Sequence, residues 1–421
     1  MLLLTVDPAL RSANNGFVLT SAALVLMMTP ALALFYAGFV RSRNVLNTMV
    51  MSFAAMALVS VLWVLFGFSL AFSPGQGALA PFIGGLQWMG LSNWSAPYGD
   101  GQLSQGAVAF FQLSFAIITP ALISGAVVER MNFRAWLAFV ALWSSLIYLP
   151  LAHMVWGPGG FLGPDGLGAL DFAGGLVVEM ASGVAAAVTA SVVGRRRHYP
   201  GQIAPPHNVP FILLGAGLLW FGWFGFNGGS GLVAGNLASL ACLTTNTAGA
   251  AAALGWMLIE TLQRGKPTAV GVATGAVAGL VAITPAAGFV SPLGALVIGF
   301  LASGLCNWAL QLKNRSGLDD SLDVLPVHGV AGFLGILLTG LLALKAVNPA
   351  GANGLLAGNA AQFVIQLQAA GFTLLWVGVG TFVILKLLAL VMPLRVSDHE
   401  ERQGLDINAH GEEAYNNEFT L

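Results

Sequence analysis

Long apolar runs separated by short polar ones set the pattern of this chain. A run of roughly 17–25 apolar residues is the length that crosses the hydrocarbon of a bilayer as a helix. Eleven such runs can be read, at 16–40, 46–72, 105–128, 134–155, 172–194, 208–227, 237–262, 268–285, 289–311, 326–345 and 363–392. They are far longer than buried strands, so the pattern predicts an all-α membrane protein with eleven transmembrane helices. The eighth run is the shortest and is Gly-rich. The first is followed, not preceded, by its charges Arg41 and Arg43, the reverse of a secretory signal.

Composition agrees. Hydrophobic residues make up 57% of the 421 and charged residues only 8%, against about 25% charged in a soluble domain. The 54 glycines suit helices that approach closely in lipid. A net charge of −1 gives no basic footprint for nucleic acid. Cys242 and Cys306 both fall inside apolar runs and say little about redox compartment.

Loop charges orient the spans. Of 16 Lys and Arg, 13 lie on one side of the eleven-span arrangement, and Arg11 and Lys345 lie on the other. Lys386 falls within the last span. Positive residues mark the cytoplasmic side, so the N-terminus is expected outside and the C-terminus inside. The outer loop 73–104 has no Lys or Arg and is expected to pack as an ordered cap. Residues 1–394 form the transmembrane domain. Residues 395–421 form a cytosolic tail with seven acids and two bases.

Eleven spans divide as 5+5 plus a long final helix, and the two halves enter the membrane from opposite sides, as in inverted-repeat transporters. Span 5 holds LVVEMASG and span 10 holds LPVHGVAG, which sets Glu179 against His328. A carboxylate at a bilayer centre costs about 2.5–3.5 kcal/mol, so such residues usually mark a path or relay. A carboxyl and an imidazole can hydrogen-bond in several protonation states and pass a proton. No third ligand at useful spacing points to a metal. Asp171 lies eight residues before Glu179, roughly 12 Å along a helix, where capping of the span's free N–H groups is the better reading. Aromatic residues gather at the outer ends of three spans: Phe110 and Phe111 in AFFQLSF, Trp156 in HMVWGPGG, and Trp223, Phe224 and Phe226 beside Ser230 in FGWFGFNGGSG. A small cation desolvated over such rings gains about 2 kcal/mol.

ALFYAGFVRSRNVLN, AHMVWGPGG, LDFAGGLVVEM, WFGFNGGS, RGKPT, VHGVAG and QGLDINAHGEEAY occur in this order along nearly the whole chain. In these motifs the chain resembles the ammonium transporters of the Amt/Mep/Rh family, bacterial Amt branch. The resemblance implies a homotrimer in the cytoplasmic (inner) membrane, each protomer with its own narrow hydrophobic pore and no cofactor. It implies that Trp156 and Ser230, with Phe111 and Asp171 nearby, recruit ammonium or its analogue methylammonium. Phe111 and Phe226 would be a stacked gate, and His328 one of two facing pore histidines. Glu179 stands where the family's first pore histidine is expected, an arrangement also found in one fungal branch. The implied chemistry is deprotonation at the gate, passage of neutral ammonia and separate proton transfer through Glu179 and His328. Potassium, which has no proton to shed, would be refused. The tail segment Gly404–Tyr415, with Asp406, His410 and Gly411, would bridge the inner loops of neighbouring protomers, its acids meeting Arg195, Arg196 or Arg197. A PII-type signal protein would dock on that face. The alternative function is an ammonium sensor that signals through the tail.

Overall fold

In hydrocarbon every backbone N–H and C=O must be satisfied within the segment, which favours helices. The computed structural model describes residues 7–201 and 204–415. Among the described residues ten helices are long and apolar enough to cross a membrane. They are α1 (Pro8–Phe39), α2 (Ser42–Phe72), α3 (Gln105–Ala126), α4 (Phe133–Trp156), α5 (Gly175–Val193), α6 (Val209–Gly228), α7 (Asn236–Arg264), α9 (Pro292–Ser316), α10 (Leu325–Leu342) and α11 (Ala360–Val391). The apolar helix α8 (Ala269–Ile283) is shorter. It packs against α7 and α9, and every residue from Ala273 to Ile283 is buried. A helix sheathed by its neighbours need not match the lipid thickness. Two short helices, α12 (Asp398–Gln403) and α13 (Leu405–His410), form the tail. A hairpin pairs β1 (Pro97–Tyr98) with β2 (Leu103–Ser104) in the loop after α2.

Local chemistry sets the helix starts. Ser104, Asn132, Asn208, Thr268 and Ser291 each accept a backbone N–H in the first turn of the helix that follows. Such caps each contribute about 1 kcal/mol. Gly265 and Gly317 end α7 and α9 in the left-handed conformation.

The connecting segments gather at two ends. At one end Arg196 pairs with Glu129 and Asp319, the Asn132 N–H donates to Leu394, and the Leu405 N–H donates to Asn44. At the other the Ser104 N–H donates to Asn15, Phe161 to Pro81, Phe172 to Pro285 and Leu344 to Phe289. The first is called the tail end here and the second the cap end. The cap-end loop 73–104 is ordered, held by the bonds to Asn15 and Phe161.

Small residues let the helices touch. α1 and α6 meet backbone to backbone, where a Cβ on Gly38 or Gly215 would fall within 2.7 Å of the partner's main chain. α5 and α10 meet at Gly183, whose added Cβ would lie 2.1 Å from the N of Gly329.

Candidate functional site

The site begins at the head of α5. Gly174 has φ 112°, a conformation that suits glycine. The chain turns there, and the Asp171 carboxylate reaches back over the helix start. It accepts the N–H groups of Gly174 (2.9 Å), Gly175 (2.6 Å), Leu176 (2.8 Å) and Val177 (3.4 Å). All four lie at the helix entry, where N–H groups otherwise lack partners. Its backbone carbonyl accepts the indole N–H of Trp156 at 3.0 Å. Asp171 therefore holds both the helix and the tryptophan at the cap-end mouth.

Inward from Trp156 comes a column of rings. Phe115 stands edge-on to Trp156, with centroids 6.1 Å apart and planes at 86°. Phe115 and Phe226 lie 4.3 Å apart at 32°. Phe111 meets Phe115 edge-on at 4.9 Å and 65°. The expected stack of Phe111 on Phe226 is corrected accordingly: the ring facing Phe226 is Phe115, one helical turn further in. Phe111 is fully buried, with its ring against Gly229, so it supports the stack from behind. The signal was present in FFQLSF, where positions four apart share a helix face. Ser230 donates its hydroxyl to the Phe226 carbonyl at 2.8 Å, which leaves its oxygen free to accept from a donor.

Beyond Phe226 lies a cavity of about 10 Å³ lined by Met28, Leu32, Phe35, Ile118, Leu122, Val178, Leu219, Trp223 and Val277 together with Glu179 and His328. That is room for about one water-sized molecule. Trp223 is fixed by its N–H bond to Thr284 at 2.9 Å. The polar groups in the lining are few. His328 Nδ1 lies 2.7 Å from Glu179 Oε2, and the side chains are 5% and 1% exposed. Either Nδ1–H donates to the carboxylate or a protonated carboxyl donates to Nδ1. In both cases one proton is shared, and Nε2 has no hydrogen-bond partner among the described residues.

Backbone geometry aims the pair. Glu179 sits in a π-helical turn, Gly175–Met180, and His328 in another, Leu325–Val330. Such turns add a residue per turn and re-aim side chains, often at functional sites. Asp320 accepts the N–H groups of Val324 (3.1 Å) and Leu325 (2.7 Å) at the tail-end head of α10. It repeats Asp171, and like Asp171 it lies eight residues before a member of the Glu179–His328 pair. Asp171 and Asp320, Glu179 and His328, and Gly183 and Gly332 share one offset, the 149 residues that separate Glu179 from His328. Sequence reasoning missed Asp320. The repeated spacing between an aspartate and the ionisable residue inside the span was the signal that could have found it. Among the described residues no group of three or more His, Cys, Asp or Glu could hold a metal ion.

The profile of the Ammonium Transporter Family matches residues 16–415. The chain is 48% identical to the ammonium transporter of Bacillus subtilis, covering 96% of this chain and 98% of that one. The chain belongs to the ammonium transporter family. It is not an enzyme. The crystal structure of Saccharomyces cerevisiae Mep2 superposes with a TM-score of 0.88 at 35% identity, covering 97% of this chain and 93% of that one. A solved structure described as a sensor Amt protein gives 0.86 at 28% identity, over 96% and 100% of the two chains.

In this member of the ammonium transporter family the tail folds back on its own chain. Asp406 accepts the N–H groups of Asn47 (2.8 Å) and Leu46 (3.1 Å), capping the α-helical part of α2 from 359 residues away. Gly404, at φ 110°, lies so close to Arg43 that an added Cβ would meet it at 2.7 Å. Asn47 Nδ2 donates to His410 Nε2 at 3.1 Å, and the His410 ring stands edge-on to Phe133. Gly411, at φ 71°, ends α13 in the left-handed conformation, and Tyr415 shares a 2.9 Å hydrogen bond with His207.

Asp406, the one acid of 404–415 held by the protein's interior, does not meet Arg195, Arg196 or Arg197 as expected. Arg196 is taken by Glu129 (3.0 Å) and Asp319 (2.8 Å). The N–H of Arg197 goes to Glu401 at 2.7 Å, upstream of that segment. A helix start with free N–H groups satisfies a buried carboxylate better than a solvated guanidinium does. Burial alone would raise the Glu129 carboxyl, but Arg196 beside it and the N–H of Arg41 hold it below its ordinary value. Asp319 is held low in the same way, against burial, by Arg196 and Arg130.

Proposed function

We propose that this protein takes up ammonium by binding the ion at its outer mouth, removing a proton and passing neutral ammonia through the apolar cavity. The observation that carries the reading is the column from Trp156 through Phe115 and Phe226 to a one-molecule apolar cavity ending at Glu179 and His328. A bare ammonium ion in that cavity would lose its hydration with too few partners to replace it. Ammonia loses far less. Potassium meets the same barrier with no proton to give up.

Trp156 and Ser230 form the recruitment site, with an aromatic face and a hydroxyl oxygen. Phe115 and Phe226 form the gate. Glu179 and His328 share a proton and carry it separately, so the net movement is electrogenic. Asp171 positions Trp156 and the start of α5. The protein crosses the membrane eleven times, counting α8. The common offset of Asp171/Asp320 and Glu179/His328, at heads of helices on opposite ends, supports an inverted 5+5 repeat plus α11. The basic loops at the tail end support a cytosolic C-terminus and uptake across the cytoplasmic membrane. The homotrimer, the regulatory tail bridging protomers and a PII-type partner rest on family membership.

Current across reconstituted membranes under an ammonium gradient tests this, with wild type, Glu179→Gln and Glu179→His compared across pH. The Gln form should lose current. The His form should keep it with a displaced pH profile, because reference pKa values differ by about two units. Wild-type current with an unaltered profile in the Gln form would overturn the relay. Labelled methylammonium uptake into vesicles holding only this protein separates transport from a sensor role.

A further inference from the structure

Away from the Glu179–His328 pair, an unpaired charge stands on an exposed apolar helix face. Lys386 is exposed on α11, between the exposed apolar residues Phe382, Val383, Leu387 and Leu390. It lies five residues before the end of the helix at Val391, roughly 7.5 Å short of the tail-end boundary. Among the described residues it makes no salt bridge and no hydrogen bond. Its ammonium sits 5.3 Å from the Phe382 ring.

Lys386 closes the tail-end side of a groove between α5 and α11 of about 600 Å³. The walls are Val188 and Val192 on one helix and Val379 and Phe382 on the other, with Ala187 and Gly378 between them. A Cβ at Gly378 would touch only Val184, at 3.7 Å. The trough is thus mostly apolar, with the Ser191 hydroxyl as its one uncharged polar group, and it is open beside Gly378. Lys386 is the one charged residue in the lining, and the two arginines beyond the helix ends do not reach it: the Arg195 guanidinium lies against Gly317. Arg195 follows α5, Arg395 follows α11, and Arg395 donates to the Arg195 carbonyl. Arg395 is paired with Glu401, while Arg195 has no carboxylate partner among the described residues.

We propose that this groove binds one anionic phospholipid, with its phosphate on Lys386 and an acyl chain lying over Gly378. In lipid an apolar groove gains little from apolar filling alone. Selectivity therefore comes from the charge, and basic pockets between helices on the cytoplasmic side suit anionic headgroups. The bland alternative is a lysine whose flexible stem reaches the interface with unselective lipid around it.

Native mass spectrometry of the detergent-purified protein tests the site, titrating phosphatidylglycerol against phosphatidylcholine of the same chains. Wild type should hold one saturable lipid per protomer with roughly fivefold preference for the anionic form. Lys386→Gln should abolish the preference and keep the fold, seen as an unchanged oligomer mass. Gly378→Leu should weaken both lipids alike by filling the trough. Full preference in Lys386→Gln, or no saturable anionic binding in wild type, would overturn the proposal. So would complete competition by inorganic phosphate together with an unaffected Gly378→Leu, which would mark a simple anion site. None of these readouts depends on transport.

Discussion

Gly183→Ala would place a Cβ 2.1 Å from the Gly329 nitrogen and 2.2 Å from its Cα. Both neighbours are backbone, so no side chain can swing aside. Ordinary contact lies near 3.5–4.0 Å, so α5 and α10 must part by roughly 1 Å or more at this crossing. Overpacking of this kind costs about 1–3 kcal/mol of stability. Glu179 lies one turn before Gly183, and His328 is the residue next to Gly329. The 2.7 Å contact between Glu179 and His328 would stretch past the roughly 3.5 Å at which a hydrogen bond is lost. If the pair lowers the transport barrier by the about 1.5–3 kcal/mol of a charged hydrogen bond, current should fall about 10- to 100-fold. The assay is ammonium-driven current in reconstituted membranes, alongside thermal unfolding in detergent. Gly304→Ala on α9, where an added Cβ meets nothing within 4 Å, is the control and should match wild type. A folded Gly183→Ala protein with wild-type current and pH profile would refute the reasoning, because the shared proton would then not depend on helix spacing.

Three further outcomes are expected. Trp156→Leu should raise the half-saturating methylammonium concentration about tenfold, through loss of a desolvated cation–π face, with a smaller effect on maximal flux; unchanged half-saturation would remove Trp156 from recruitment. Asp406→Ala should loosen the tail by about 1 kcal/mol, the worth of a helix cap, read as roughly fivefold faster amide exchange in Leu405–His410, and unchanged exchange would show that the cap does not hold the tail. Glu129 and Asp319 are held below their ordinary values of 4.5 and 3.8, so their stabilisation is full above those values and is lost as pH falls through the lowered ones; Arg196→Gln, which leaves buried carboxylates unpaired at a cost of about 3–5 kcal/mol, should lower the unfolding temperature at neutral pH and match wild type more closely in acid, and a pH-independent difference would count against the ion cluster.

The sequence by itself determined the helical membrane class, because runs of apolar residues this long have few other ways to satisfy their backbone. It also singled out Glu179 and His328, since ionisable groups inside such runs are costly enough to need a reason. Asp171 was legible as a cap from its place at the head of a span. What required the tertiary structure were relations between segments distant in the chain. Phe115, and not Phe111, faces Phe226 because the rotation of α3 is set by its packing against α1, which a stretch apolar on every face does not encode. The tail carboxylate of Asp406 caps α2 instead of pairing with Arg196, because Glu129 and Asp319 reach that arginine first and a helix start offers buried N–H groups. The groove beside Lys386 forms between α5 and α11, where the small residues Ala187 and Gly378 leave room. Each of these depends on which faces meet. In a chain that is 57% hydrophobic, the periodic contrast between faces that would announce such meetings is largely erased.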